Sequence, residues 1–427
     1  MKGWKWLYPG LGVKRWILLM AASFFFFSVG LAILTEFSLA TFIEDNILGF
    51  ILPLTGNLVF LIKLLIALIF FILSVIGINL ALKSASKWYQ RNTADFSRQG
   101  AVEQLYKKKQ LEKGPKIVAL GGGTGLSNLL RGLKHFTSNI TAIVTVADDG
   151  GSSGKLRDEL GTLPPGDIRN CLVALADAEP LMMELFQYRF SSKGHLVGHS
   201  FGNLFIAALA AVLGDFEEAV KESSKILAIS GQVLPATNQD VRLGAIYADK
   251  SVRLGESVIA EEAKKIERVF LKPAKCQPTN EALKSVSEAD IIIIGPGSLY
   301  TSIIPNLLVE GIAEAIKESK ALKFYVCNVM TQPGETSGYT VNDHVRAIID
   351  HSVEGLFDYV VVNREESTAG LIKKYEAEGA FPVKVDRQQV VKNGIRVIEA
   401  DLLSAEGFIR HDPIELARTI FHTATGW

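Results

Sequence analysis

Cysteine is scarce in this chain, with only Cys171, Cys276 and Cys327. They lie far apart and form neither a CxxC pair nor a disulfide framework, so they are expected as buried, reduced residues. Net charge is absent as well, because 45 basic residues offset 45 acidic ones. That balance argues against nucleic acid or another extended polyanion as partner, although a zero total can conceal asymmetry along the chain. Three motifs are also missing. No HExxH zinc helix occurs, and GGSSGKL fails as a P-loop because Asp149 stands where its first glycine belongs and Leu156 follows the lysine. The dinucleotide fingerprint GxGxxG lacks its third glycine, whose place Leu126 takes. An ATPase and a nicotinamide enzyme are therefore disfavoured, and no flavin is expected.

Charge is sparse before residue 83 and almost missing from two long apolar runs there. WILLMAASFFFFSVGLAIL (16–34) carries none, and LVFLIKLLIALIFFILSVIGINLAL (58–82) carries only Lys63, near enough to its start to snorkel. Each is close to the ~20 apolar residues that span a bilayer as a helix. A cleaved signal peptide is disfavoured because the first core is long and a second span follows soon after. Lys2, Lys5, Lys14 and Arg15 precede the first run, and Lys83, Lys87, Arg91 and Arg98 follow the second, while only Glu36, Glu44 and Asp45 lie between. The positive-inside rule then gives a multi-pass protein of the cytoplasmic membrane, with both termini and the large domain cytosolic. The expected organisation is a membrane hairpin at 1–83, a basic cytosolic linker at 84–113 and an α/β domain at 114–427.

From Gly114 short β-branched runs alternate with amphipathic patterns, which predicts a doubly wound α/β domain with a mostly parallel sheet. Strands are expected at 116–120, 140–147, 290–295, 323–329 and 359–363. They read as continuous apolar runs, expected to be covered on both faces. Helices are expected at 126–134, 169–176, 203–213, 216–227, 279–286, 303–318 and 340–350, with a β excursion over about 231–271.

Ligands of open α/β sheets bind beyond the carboxyl ends of the strands. After the first strand comes GGGTG, Gly121, Gly122, Gly123, Thr124 and Gly125, suited to a phosphate at a helix N-terminus. The second strand leads to Asp148 and Asp149, about twenty residues beyond that turn, placed for a ribose hydroxyl or a divalent cation that bridges phosphates. If the protein is an enzyme, these two are its catalytic candidates. Gly150, Ser152 and Gly154 match GxSxG, an inexpensive match in so glycine-rich a run. Asp167 is placed to cap a helix, and Arg169 and Asn170 follow it with a fork and an amide suited to a diphosphate or a base edge. His195 and His199 stand four apart, but the glycine between them disfavours zinc. His199, Ser200 and Asn203 read as polar contacts from a helix start. Gly295, Gly297, Ser298, Tyr300, Thr301 and Ser302 form a third glycine turn, and Asn328, Thr331 and Gln332 follow the next strand. Arg410 and His411 precede a C-terminal helix, with Arg410 the candidate for phosphate, and Tyr375 is a candidate for stacking on a base.

The stretches GGGTGLSNLLRGLK, ITAIVTVADDGGSSGKLR, PPGDIRNCLVALAD, GHSFGNL, GPGSLYTSIIPNLLV and YVCNVMTQPGET resemble the gluconeogenesis factor family, the YvcK-like branch of the CofD-like superfamily. The resemblance covers about 116–411 and implies a Rossmann-like fold. It also implies binding of a nucleotide sugar of the UDP-N-acetylglucosamine type and a role linking carbon metabolism, cell-envelope synthesis and cell shape. Envelope-synthesis proteins are then expected partners, and a homo-oligomer is left open. The other branch, 2-phospho-L-lactate transferase, implies a magnesium-dependent transfer from a nucleotide-diphosphate donor, with Asp148 and Asp149 on the metal side. ADDGGSSG and GPGSLYTSIIP depart from the transferase pattern.

Overall fold

The computed structural model describes residues 13–34, 56–92, 106, 108–191, 194–262, 264–364, 369–404 and 409–426. The chain divides into two compact units, Met1–Gln110 and Leu111–Trp427.

In the first unit, helices Val13–Leu34 and Gly56–Asn92 contain the two expected spans. Their apolar sequences leave no polar stripe, and they pack through Phe26 on Phe70 and Phe27 on Phe71, with ring centroids 5.9 and 5.3 Å apart. Ser23 returns its hydroxyl to the Leu19 carbonyl at 2.6 Å, so it leaves no unmet donor in an apolar setting. Leu18, Phe24, Phe60 and Leu61 point outward. Phe60–Ala85 is long and apolar enough to cross a bilayer, whereas Ile17–Ile33 is a shorter apolar helix. Lys2, Lys5, Glu36, Glu44, Asp45 and Arg98, on which the expected orientation partly rests, lie outside the described residues.

The second unit is a seven-stranded sheet flanked by helices. Its strands are β1 (Ile117–Gly121), β2 (Ile140–Val144), β3 (Gln232–Pro235), β7 (Ile291–Ile294), β8 (Leu322–Val326), β9 (Tyr359–Asn363) and β10 (Arg396–Ala400). The order is β10-β9-β8-β7-β1-β2-β3, and every pairing is parallel. β1 holds the centre, with Ile117 registered against Ile140 on one side and Ile291 on the other. β1, β2 and β7 are buried along their whole length, as continuous Val/Ile/Leu runs require. Between β3 and β7 the chain forms a three-stranded antiparallel sheet from β4 (Arg242–Tyr247), β5 (Val252–Leu254) and β6 (Ile266–Lys272), in order β5-β4-β6. This is the expected β excursion.

Three of the differences from the sequence expectations have a plain physical reason. Both edge strands, β3 and β10, were not expected in the main sheet. β3 (QVLP) ends in proline and falls in the stretch read as the excursion, and β10 is half-exposed, so neither stands out as a strand of the main sheet. The helix expected at 303–318 is broken into a wide turn at Leu299–Ile303 and helices Ile304–Leu307 and Ile312–Glu318, because apolar spacing alone does not register the break at Gly311. GSSGKLRDEL, not among the expected helices, forms helix Gly151–Leu160, whose buried face is built largely from Ser152, Ser153 and Gly154 and so escapes a hydrophobic pattern.

Candidate functional site

The strand order reverses at β1. The chain steps from β1 through β2 to β3 on one side, then returns to lay β7, β8, β9 and β10 on the other. Loops leaving β1 and β7 therefore part at their carboxyl ends and open a crevice, the place where doubly wound sheets bind ligands. A cavity of about 400 Å³ lies there, lined by residues of the turns after β1, β2, β7 and β8.

The first wall is the glycine turn. Helix Gly123–Leu133 starts from Gly122 without any side-chain cap, so its early amides are not held by a capping side chain. The Asp167 carboxyl lies near the Gly123 backbone, which works against the rise in its pKa, and Thr124 and Gly125 supply the turn's next amides. The second wall is the turn after β7. Gly125 faces it so closely that a Cβ at this position would stand 2.5 Å from the Pro296 carbonyl oxygen. Asn306 ties the walls together by donating from Nδ2 to the carbonyls of Gly121 and Ser302, at 3.0 and 2.8 Å. Asn328 brackets the second turn: Nδ2 donates to the Gly297 carbonyl at 2.8 Å, and Oδ1 accepts the Gly297 amide at 3.3 Å. Gln332 donates to Ser298 Oγ at 2.8 Å.

Three carboxyl groups line the cavity: Asp148, Asp167 and Glu256. Burial, then the neighbouring Asp148 charge, pushes Asp167 up to about 7. Burial, then the charges of Asp148 and Asp167, pushes Glu256 up to about 8. Burial also raises Asp148, opposed by the Gly150 amide, which donates to its Oδ1 at 2.9 Å, and by the Ser153 hydroxyl. Three crowded acids with Arg410 on the same lining form a site whose charge is incomplete without a proton or a cation.

The expected site residues separate into groups. Gly122, Gly123, Thr124, Gly125, Asp148, Asp167, Gly297, Ser298, Ser302, Asn328, Gln332 and Arg410 line the cavity. Gly121 ends β1 and Gly295 directly follows β7, and neither lines the cavity. Asp149 does not pair with Asp148: it turns away, and its Oδ1 accepts the Ser257 amide at 2.9 Å. Arg169, Asn170, His199, Ser200 and Asn203 lie off the lining in a polar network. In it Arg169 donates to Ser200 Oγ and, at 2.6 Å, to Asn170, while Ser200 caps helix Phe201–Leu213 through the Asn203 amide. Burial, then Arg189, lowers Arg169 to about 10. Ser152 Oγ sits 3.1 Å from His199 Nδ1 and accepts from Asn203 Nδ2, but this buried pair is away from the cavity. Tyr300 turns its hydroxyl to Tyr339 at 2.8 Å, and its amide donates to Glu335. Thr331 holds the Phe381 amide, and the Tyr375 hydroxyl accepts the Ile409 amide at 3.3 Å, so neither presents itself to the cavity.

Sequence reasoning missed Asn128, Thr145, Glu256, Val329, Met330 and Ile409 on the lining. Asn128 was within reach, since it follows Gly125 by three residues on the same helix and therefore shares its face. Glu256 comes from the β excursion, where no spacing rule points to the main sheet. Beyond Met330 a second cavity of about 450 Å³ opens over β8 and β9, with Val341, Val362, Ile372 and Leu403 in its apolar wall; Asn328, Val329, Met330 and Ile409 line both cavities.

This fold, and the turns at its switch point, have known relatives. Residues 117–403 match the family described as 2-phospho-L-lactate transferase CofD. The chain belongs to the CofD family. Within that family it is 53% identical to the gluconeogenesis factor of Bacillus subtilis, over 71% of this chain and 96% of that protein. A Nostoc sp. protein, provisionally named a gluconeogenesis factor, is 48% identical over 97% of this chain and 91% of its own length, so that match extends through most of the first unit. A crystal structure of a UPF0052-family protein from Bacillus halodurans superposes with TM-score 0.70 at 50% identity, covering 72% of this chain and 99% of that one. The CofD-family chain thus has the Rossmann-like α/β fold of its relatives.

Proposed function

We propose that this protein is a gluconeogenesis factor that binds a nucleotide sugar of the UDP-N-acetylglucosamine type and regulates carbon metabolism, envelope synthesis and cell shape from the inner face of the cytoplasmic membrane. The observation that carries the ligand is the pair of glycine turns facing each other across the β1/β7 switch point, with a second, partly apolar cavity adjoining. The diphosphate takes the Thr124 and Gly125 amides, the serines of the opposite turn and Arg410, while the base takes the annex beyond Met330. The names of the relatives supply the metabolic role. Anchoring is supported by the two apolar helices of the first unit, and envelope-synthesis proteins would be the partners.

The crowded carboxyls support a second reading, a magnesium-dependent transferase acting on a nucleotide-diphosphate donor. Among the described residues no trio of His, Cys, Asp or Glu forms a complete metal cage. Magnesium needs none, since it is held by one or two carboxylates together with water and phosphate oxygens. Asp148 and Asp167, both oxygen donors on the cavity wall, fit that role; Asp149, turned away, does not. Bound there, magnesium would neutralise charge on a diphosphate.

The test is calorimetric titration of the full-length protein in detergent with UDP-N-acetylglucosamine, UDP-glucose, guanosine diphosphate and deazaflavin compounds, with and without magnesium, while watching for products. Saturable UDP-sugar binding without turnover is expected. Turnover lost in Asp148→Asn would establish the transferase, and the absence of any nucleotide binding would remove both readings.

A further inference from the structure

Glu256 reaches the cavity from outside the main sheet. It opens the short helix Glu256–Glu261, which follows β5 in the excursion, and it lines the cavity together with Asp148 and Asp167. Asp149 sets its position. One carboxylate oxygen accepts the Ser257 amide at 2.9 Å. The other lies so close to Gly255, which has φ +111, that a Cβ there would stand 2.7 Å away. The adjacent aspartates therefore act in different places: Asp148 faces the cavity, and Asp149 clamps the turn that delivers Glu256.

The two cavities share Asn328, Val329, Met330 and Ile409, whereas Glu256, Asp148 and Asp167 line only the first. With a base in the partly apolar annex and a diphosphate at the glycine turns, the remaining part of the ligand falls among the carboxyls. A carboxyl group, charged or protonated, keeps an oxygen that accepts from hydroxyl and N–H donors, and in its charged form it repels phosphate. We propose that Glu256 reads the hydroxyl or amide donors of the ligand's sugar and that Asp149 is the positioning residue that holds it there. This rests on the nucleotide-sugar reading above.

The experiment is calorimetry on the full-length protein with UDP-N-acetylglucosamine, UDP-glucose and UDP, comparing wild type, Glu256→Ala, Asp149→Asn and the double variant. Glu256→Ala is expected to weaken the UDP-sugars about tenfold, or about 1.4 kcal/mol, while UDP stays within about twofold. Asp149→Asn should cause a smaller loss in the same direction. The double variant should match Glu256→Ala alone, since a residue that acts through another adds nothing once that other is gone. Equal losses for UDP and its sugars, additive losses in the double variant, or wild-type selectivity in Glu256→Ala would each overturn the assignment. If thermal unfolding shows Glu256→Ala to be misfolded, the near-isosteric Glu256→Gln carries the test, and unchanged sugar selectivity in it counts against the proposal. A wild-type protein that binds no uridine ligand would overturn the nucleotide-sugar reading itself, a pattern distinct from lost selectivity.

Discussion

Gly125→Val is expected to cost about 3 kcal/mol or more of folding stability, in the range of overpacking that cannot relax. A Cβ at Gly125 would meet the Pro296 carbonyl oxygen at 2.5 Å, its carbon at 2.8 Å and the Gly297 Cα at 3.0 Å. All three are backbone atoms, so no side chain can swing aside, and the walls must separate. Asn306 and Asn328, which hold those walls by hydrogen bonds, would be strained in the same movement. Calorimetric unfolding should show a Tm lowered by about 6–12 °C, at the ~2–4 °C per kcal/mol of a domain this large. Nucleotide binding should be lost as well. An unchanged Tm would mean that the two turns do not touch.

Asp167→Asn is expected to act in the opposite direction, with a gain that grows as pH rises from about 4 to about 7 and then levels off. Burial and the Asp148 charge push the Asp167 carboxyl up to about 7, against about 3.9 in an unfolded chain. The folded state therefore holds this proton more tightly than the unfolded state does. Its stability is fully present below the unfolded value and falls as pH rises through the window from about 4 to about 7. Asparagine cannot ionise, so the variant escapes that loss and keeps an oxygen near the Gly123 backbone. At pH 8 the expected gain is about 2 kcal/mol, roughly half of what a three-unit shift represents in a dry site, because the carboxyl opens onto the cavity. Near pH 4 the two proteins should coincide. Urea unfolding across this range checks both ends, and a gain independent of pH would show that charge is not the cause.

How far the sequence exposed this site depended on the kind of signal each residue carries. β1, β2, β7, β8 and β9 are dominated by apolar residues and were legible, and the glycine turns after β1 and β7 stood out because loops are where unusual backbone is needed. β10 was not, since its half-exposed residues resemble an ordinary surface segment. Asp148 and Asp149 looked equivalent in sequence and diverge in space, because the chain turns into helix Gly151–Leu160 directly after them. Glu256 was invisible, as its position depends on the Asp149 clamp and on the path of a separate small sheet. Arg169, His199 and Asn203 carry the chemistry of ligand contacts but lie off the cavity lining, where their hydrogen bonds join the starts of helices Gly151–Leu160, Gly166–Leu175 and Phe201–Leu213.

The central claim is that the β1/β7 switch point holds the diphosphate of a nucleotide sugar. The most direct measurement is a crystal structure of the protein grown with UDP-N-acetylglucosamine and magnesium. The account predicts diphosphate density between the Thr124 and Gly125 amides and the Ser298–Ser302 turn, the base beyond Met330 and the sugar against Glu256. Clear ligand density elsewhere, with only solvent between the two glycine turns, would contradict it.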